Sequence, residues 1–344
     1  MRQYHDLVEN ILSNANYRKN RTGVDTLSTF SQHYEIDLQE GFPLLTTKDL
    51  SGYRWNSLIH EILWYFSGEE HIRNLREHTK IWDAWADDEG KLDTAYGRFW
   101  RRYPVPDEDS QLPGEVWADE DCKWVNKEED GRLVFDQIQY VIDTLNGENP
   151  DRSPNSRRLI INAWHPSNAD VSGLPPCHFT WVMNVQDGKL NTHLTQRSGD
   201  TALGIPFNIA CYAILTKIIA KQTDFEPGKF SHTIVDSHIY CGKDERGEWY
   251  GENLEELKKR MNKADTPEEF LEVKDWIEEN APEGSYDGDK PYDHVPGLLE
   301  QISRETRERP KLKIPKKSIE ELEYDDFQLE DYNPHPGIKF AVAE

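Results

Sequence analysis

Tyr4, Leu7, Val8, Ile11 and Leu12 recur at three- and four-residue spacing, which predicts an amphipathic helix at the start of the chain. The period then changes. Residues 22–38 alternate as a strand pair on a half-buried sheet would. Trp55, Leu58, Ile59, Ile62, Leu63 and Phe66 restore the helical spacing and lay an apolar stripe beside His60 and Glu61. A further helix is expected over 135–146, ahead of a β-rich run at 158–164. Strands over 179–185 and 190–196 flank Asp187-Gly188, a dipeptide that favours the tight turn of a hairpin. Residues 208–221 read as a buried helix and 230–240 as a strand.

Two stretches break this pattern. Residues 107–132 are acidic and loop-like, punctuated by Pro113, Gly114 and Gly131. Residues 243–309 are longer and charge-laced. Within them Thr266-Pro267-Glu268-Glu269 has the form of a capping box with proline at the first helical position, opening the amphipathic run Phe270, Val273, Trp276, Ile277. Both stretches read as surface insertions, at about 107–132 and 243–309, in one domain spanning residues 1–344. Neither internal repeats nor low-complexity tracts are evident. With 36 % hydrophobic and 11 % aromatic residues, the 344-residue chain has enough apolar surface for a large core.

Charge narrows the class of partners. Sixty-four acidic against 40 basic residues give a formal charge of -24, which repels nucleic-acid backbones and anionic membranes. Ordinary solubilising surface accounts for such acidity, and so does adaptation to a high-salt cytoplasm where screening removes the self-repulsion; the second reading is preferred. No apolar run approaches the roughly 20 residues of a membrane span, and the first 20 residues are too polar for a signal-peptide core. The four cysteines, Cys122, Cys177, Cys211 and Cys241, contain no C-x-x-C pair, which suits a reducing, cytoplasmic compartment.

Against that acidic background a few residues stand out. Cys177 follows Pro175-Pro176 at the mouth of an expected strand, where a side chain projects from a sheet end. A lone cysteine is more often an inert small hydrophobe. His178 does not resolve the choice, because neighbours on a strand point to opposite faces. Arg21, Arg157, Arg158 and Arg197 lie near expected strand ends; guanidinium forks suit a phosphate, while surface ion pairing is the plain alternative. Glu61, between Ile59 and Ile62, is a carboxyl beside an apolar face where burial would raise its proton affinity, unless it is a solvated helix position.

Taken in order, the motifs resemble one family. Arg21-Thr22-Gly23, Gly41-Phe42-Pro43-Leu44-Leu45-Thr46-Thr47-Lys48, His60-Glu61-Ile62-Leu63-Trp64, Ile81-Trp82-Asp83 and Tyr96-Gly97 are similar to the amino-terminal motifs of folate-dependent thymidylate synthases. Ser156-Arg157-Arg158, Pro176-Cys177-His178, Gln196-Arg197-Ser198-Gly199-Asp200, Gly204-Ile205-Pro206-Phe207-Asn208-Ile209-Ala210, Asp236-Ser237-His238-Ile239-Tyr240 and Pro334-His335-Pro336-Gly337-Ile338 extend the resemblance through the second half.

The resemblance implies an α+β fold, a large mixed β-sheet with packed helices, in homodimers joined through the sheets. It implies reductive methylation of dUMP to dTMP, with 5,10-methylenetetrahydrofolate as co-substrate and neither metal nor flavin. Cys177 would be the nucleophile, Glu61, Tyr96 and Asn208 its catalytic partners. Arg21, Arg197 and Ser198 would hold the phosphate, Arg157 and Arg158 reaching it from the partner subunit. His238 and Tyr240 would bind the deoxyribose hydroxyl and Asn208 the uracil edge. Ile81, Trp82 and Asp200 would face the folate, with Lys48 at its glutamate tail. Two departures accompany these: Asp49-Leu50-Ser51-Gly52-Tyr53-Arg54 replaces the family's basic stretch, and the chain ends on Glu344 rather than a small or aliphatic residue. A pyrimidine nucleotide hydroxymethylase on the same fold is the nearest rival, and asparagine rather than aspartate at 208 favours uracil. A catalytically silent nucleotide-binding protein is the other, and intact Cys177, Glu61 and arginines argue against it.

Overall fold

The computed structural model describes residues 1–92, 95–106 and 116–343. Residues 107–115 of the acidic stretch, with Pro113 and Gly114, and the terminal Glu344 lie outside the described residues. In chain order the elements are α1 (Arg2–Asn14), β1 (Asn16–Arg18), β2 (Thr26–Asp37), α2 (Tyr53–Ser67), α3 (Tyr96–Arg101), β3 (Tyr103–Pro104), β4 (Val125–Lys127), β5 (Leu133–Phe135), α4 (Gln137–Leu145), β6 (Ile160–Asn162), α5 (Pro166–Val171), β7 (His178–Gln186), β8 (Lys189–Asp200), α6 (Gly204–Gln222) and β9 (Glu226–Tyr240). Four helices follow: α7 (Asp244–Glu252), α8 (Leu254–Met261), α9 (Pro267–Asn280) and α10 (Val295–Ser303).

The main sheet has six strands in the order β1-β2-β9-β8-β7-β6. Pairing is antiparallel except between β8 and β9, so the sheet is mixed and the fold α+β. A parallel neighbour requires a crossover, and α6 supplies it. This helix is apolar on all sides and buries Ile205, Ile209, Tyr212, Ile214, Ile218 and Ile219 among others. By length and composition it could cross a membrane, but 72 % of its apolar window is buried inside the protein, as befits a core helix. Asp187 and Gly188 take φ of 50° and 74°, the left-handed geometry that closes the β7–β8 hairpin as the dipeptide predicts.

One face of the sheet packs on α6 through Trp181, Met183, Leu194, Phe230 and Ile234, all buried. The register sets His33 beside Thr233, Thr195 beside Thr233, Val182 beside His193 and Ile160 beside Val182, so these residues share the opposite face. Helices leave that face open, and Ile160 and Val235 are 41 % and 36 % exposed on it.

Some expected boundaries move. Of residues 22–38, Thr26–Asp37 form one long strand rather than a pair: Gly23, at φ 70°, sits in the turn that links β1 to β2, and Ser31, at φ 58°, interrupts the alternation inside β2. Of 158–164 only Ile160–Asn162 is strand. Phe135 belongs to β5, and α4 starts after Asp136, whose carboxylate accepts from the Gln139 N–H. The Thr266–Glu269 capping box is present at α9. Tyr250, Leu257, Phe270, Val273, Ile277, Leu298 and Leu299, from α7 to α10, join the main core. The stretch is anchored by Arg246, whose Nε and Nη2 both reach Asp293 Oδ2 at 2.7 Å, the oxygen that also accepts from the Tyr250 hydroxyl at 2.8 Å.

Candidate active site

Strand ends and helix starts converge where β7, β8 and β9 meet α6. Cys177 immediately precedes β7. Its backbone N–H donates to the Tyr96 hydroxyl oxygen at 2.7 Å, and its carbonyl accepts the Arg197 N–H at 2.8 Å. The Arg197 side chain reaches back to the same turn, donating from Nε to the Pro176 carbonyl at 3.1 Å and from Nη2 to that of Pro175 at 2.7 Å. Prolines lack an N–H, so this turn offers carbonyl acceptors without matching donors, and a guanidinium, which only donates, fits it. Burial pushes the Cys177 thiol up, while Arg197 and then Arg21 pull it toward thiolate.

Gly97 explains how Tyr96 arrives there. A Cβ on it would stand 2.2 Å from the Tyr65 carbonyl oxygen, so only glycine lets α3 press this closely on α2. The Tyr96 ring stacks on His178 at 3.9 Å between centroids. His178 in turn pairs through Nδ1 with the Tyr212 hydroxyl at 2.7 Å, and burial pulls its pKa down to about 3. The ring is therefore neutral and committed, which removes it as a base for Cys177.

Glu61 lies half-buried on α2. The Trp82 Nε1–H donates to its Oε1 at 2.7 Å. Burial raises its pKa to about 7, against the opposing hydrogen bonds of Trp82 and Tyr65. Trp82 belongs to an aromatic cluster with Trp64, Trp85 and Tyr96 at 5.7–6.0 Å. Ile81 is half-buried against the same core.

The end of β8 carries Ser198 and Asp200, with Asp200 in register with His238 of β9. The Asp200 carboxylate accepts the Ala202 and Leu203 N–H groups at 2.9 and 3.3 Å ahead of α6, and its side chain stays 21 % exposed. His238 and Tyr240 make an edge contact at 5.2 Å. After burial, the charges acting on the Tyr240 hydroxyl come from Asp200, Arg21, Cys177 and Asp236. Asn208, in the second turn of α6, accepts from Gln196 Nε2 at 3.0 Å.

Thus Cys177, Tyr96, Arg21, Arg197, Ser198, Asp200, Asn208, His238 and Tyr240 gather around one set of strand ends, with Glu61 and Trp82 hydrogen-bonded to each other on the flanking aromatic cluster. Arg157 and Arg158 do not join them; both are exposed, just before edge strand β6. Lys48 is placed otherwise than a tail-binding lysine would be. It is 1 % exposed, its Nζ donates to the Ala202 carbonyl at 2.7 Å, and burial lowers its pKa to about 7. Near it the chain's end is tied down: His294 Nε2 meets the Ala341 carbonyl at 2.9 Å and Phe340 lies 4.8 Å from the His294 ring. Gln196, Tyr65 and Tyr212 were given no role by sequence reasoning. Gln196 opens the Gln196–Asp200 motif, which is a signal of position; the other two carry none beyond helical spacing. Among the described residues no group of three or more His, Cys, Asp or Glu could hold a metal ion.

A family model described as thymidylate synthase matches residues 2–344. A thymidylate synthase from Haloferax volcanii is 61 % identical over 339 residues, covering 98 % of this chain and 96 % of that protein. With its full length matched and its sheet, cysteine and arginine arranged as described, the chain belongs to the thymidylate synthase family.

Proposed function

We propose that Cys177, Asn208, Glu61 and Tyr96 divide the chemistry of the reaction this chain performs as a thymidylate synthase, the reductive methylation of dUMP to dTMP. The observation that carries the assignment is the Pro-Pro-Cys turn clasped by Arg197, with Tyr96 on the Cys177 N–H and Arg21 in its field. The Cys177 thiolate adds to carbon 6 of the uracil, and the ring's electrons move toward the carbonyl oxygen. Asn208 donates to that edge, as an oxyanion hole does. Glu61, with a pKa of about 7, exchanges protons at neutral pH. Tyr96 accepts the Cys177 N–H and keeps its O–H to hold a water that takes the carbon 5 proton and passes it on to solvent. Expulsion of the thiolate from carbon 6 completes the turnover.

Methylenetetrahydrofolate supplies both the one-carbon unit and the hydride and leaves as dihydrofolate. The residues present fit it: Trp82 and Ile81 offer an aromatic and an aliphatic surface, and the part-exposed Asp200 carboxylate suits the N–H groups of a pterin. Arg21, Arg197 and Ser198 hold the phosphate, and His238 with Tyr240 the deoxyribose hydroxyl.

Assembly belongs to the same proposal. A second copy covers the open sheet face, and Arg157 and Arg158, exposed beside Ile160 at its edge, reach the partner's phosphate. Four unpaired cysteines support a cytoplasmic setting. The test is direct: purified protein with dUMP and methylenetetrahydrofolate, at low and at multimolar potassium chloride, followed by dihydrofolate absorbance. Cys177→Ala is expected to abolish turnover and retain dUMP binding; substantial residual turnover would overturn the assignment.

A further inference from the structure

A chain of buried polar groups runs from the second strand of the sheet to Asn208. The Tyr34 hydroxyl lies 2.7 Å from His232 Nδ1, and His232 Nε2 lies 3.0 Å from Gln196 Oε1. Gln196 Nε2 donates to the Ser198 carbonyl at 2.9 Å and to Asn208 Oδ1 at 3.0 Å. Tyr34, His232 and Gln196 are 9 %, 0 % and 3 % exposed, so none of them reaches solvent for an alternative partner.

The direction of every bond follows from its ends. A backbone carbonyl only accepts, so the Gln196 atom facing Ser198 is the nitrogen and the other amide atom is the oxygen. That oxygen requires an N–H from His232 Nε2. A ring this deeply buried is neutral, its pKa held well below the ordinary value by burial, so Nδ1 carries a lone pair and receives the Tyr34 O–H. At the far end, the second hydrogen of Gln196 Nε2 requires an acceptor from Asn208, which must turn its Oδ1 inward.

We infer that Tyr34 and His232 are positioning residues for base recognition, locking Gln196 and through it the Asn208 amide in the orientation that reads uracil and rejects cytosine. With one Oδ1 lone pair engaged, Asn208 presents two N–H donors and one remaining lone pair. Uracil offers a carbonyl acceptor and an N3–H donor at this edge, and matches. Cytosine offers an amino donor and an N3 acceptor, and meets like against like. Rotating the Asn208 amide to suit cytosine would set its NH2 against Gln196 Nε2, a clash the relay transmits back to His232. The inference rests on the proposed reading of Asn208 as the group that meets the pyrimidine edge.

The measurement is the ratio of dUMP to dCMP affinity by calorimetry, together with kcat and KM for dUMP. His232→Leu removes the donor and is expected to lower the ratio about tenfold or more, with KM for dUMP rising more than kcat falls. His232→Gln returns an N–H at similar reach and should restore most of the ratio. Tyr34→Phe keeps the ring and the packing, frees the His232 tautomer, and should lower the ratio a few-fold. An unchanged ratio in a folded His232→Leu protein overturns the proposal; should that variant not fold, an unchanged ratio in Tyr34→Phe does so. Wild-type protein that binds dUMP and dCMP equally would instead overturn the reading of Asn208 itself, and the relay's role with it.

Discussion

The Trp82 indole N–H donates to the Glu61 carboxylate at 2.7 Å, and the two residues sit 21 positions apart on separate elements. Opposed effects meet in this pair. Burial favours the neutral acid, and the indole favours the carboxylate, leaving a pKa of about 7 where either form is accessible.

Removing the indole donor should therefore move Glu61 further up. A hydrogen bond to a charged group contributes about 1.5–3 kcal/mol, so Trp82→Phe is expected to raise the Glu61 midpoint by about one pH unit or more. Carboxyl infrared absorption, with Glu61→Gln as the blank, follows it. The same shift fixes a stability trend. The folded value lies above the ordinary 4.5, so the native state keeps a proton that the unfolded chain releases between about 4.5 and about 7, and stability falls as pH rises through that window. Glu61→Gln should flatten that part of the denaturation profile. A profile that keeps its slope would mean that Glu61 titrates normally.

Asp293 is 5 % exposed and depends on Arg246, itself 9 % exposed, for its countercharge. Among the described residues this is the ion pair with both side chains below one-tenth exposure. Arg246→Leu would leave the carboxylate with the Tyr250 hydroxyl and the Val295 N–H but no cation. Breaking a buried pair on one side costs about 3–5 kcal/mol. Urea unfolding should show a loss of that order, and Arg246→Leu/Asp293→Asn should recover part of it. A loss below about 1 kcal/mol would place the pair in the surface class.

How much of this was legible in the sequence depends on the range of the signal. Periodicity located α1, α2 and α6, because each buries a stripe or a whole surface whose spacing is local. Ordered motifs located Cys177, Asn208 and His238, because family resemblance needs no geometry. Lys48 shows the limit: its motif suggests a ligand, whereas its amine is enclosed and spent on the Ala202 carbonyl, an outcome fixed by packing across 154 residues. Tyr34 and His232 are 198 residues apart and meet only because β2 pairs with β9, so no local pattern marks them. The strand pair expected over 22–38 is one strand instead: Ser31, at φ 58°, breaks the alternation without turning the chain back, and β2 pairs with β9 on both sides of it.

Salt should stabilise this protein. At a formal charge of -24 the fold repels itself in dilute buffer, and screening shortens the reach of that repulsion to about 3 Å at 1 M. Most of the ion pairs, such as Lys311 with Asp331 and Lys339 with Asp289, are exposed and contribute little that salt could remove. The melting temperature and the dimer fraction are expected to rise from low salt to molar potassium chloride. A melting temperature flat or falling over the range would reduce the acidity to ordinary solubilising surface.

The proposal that subunits share arginines has its own test. Arg157 and Arg158 are exposed just before edge strand β6, where arginines lent to a neighbouring subunit would have to stand. Two defective chains should then complement each other. A Cys177→Ala chain lacks the nucleophile but keeps its arginines; an Arg157→Ala/Arg158→Ala chain keeps Cys177 but lacks the phosphate grip it lends. In a mixed dimer, the site around the intact Cys177 receives arginines from the Cys177→Ala chain and is whole, while the other site lacks both. Each mixed dimer should reach about half the wild-type rate when the sites act independently. Mixing differently tagged chains and isolating the doubly tagged species ensures that exchange has occurred. Doubly tagged dimers as inactive as their parents would mean that the arginines serve their own subunit or no site at all.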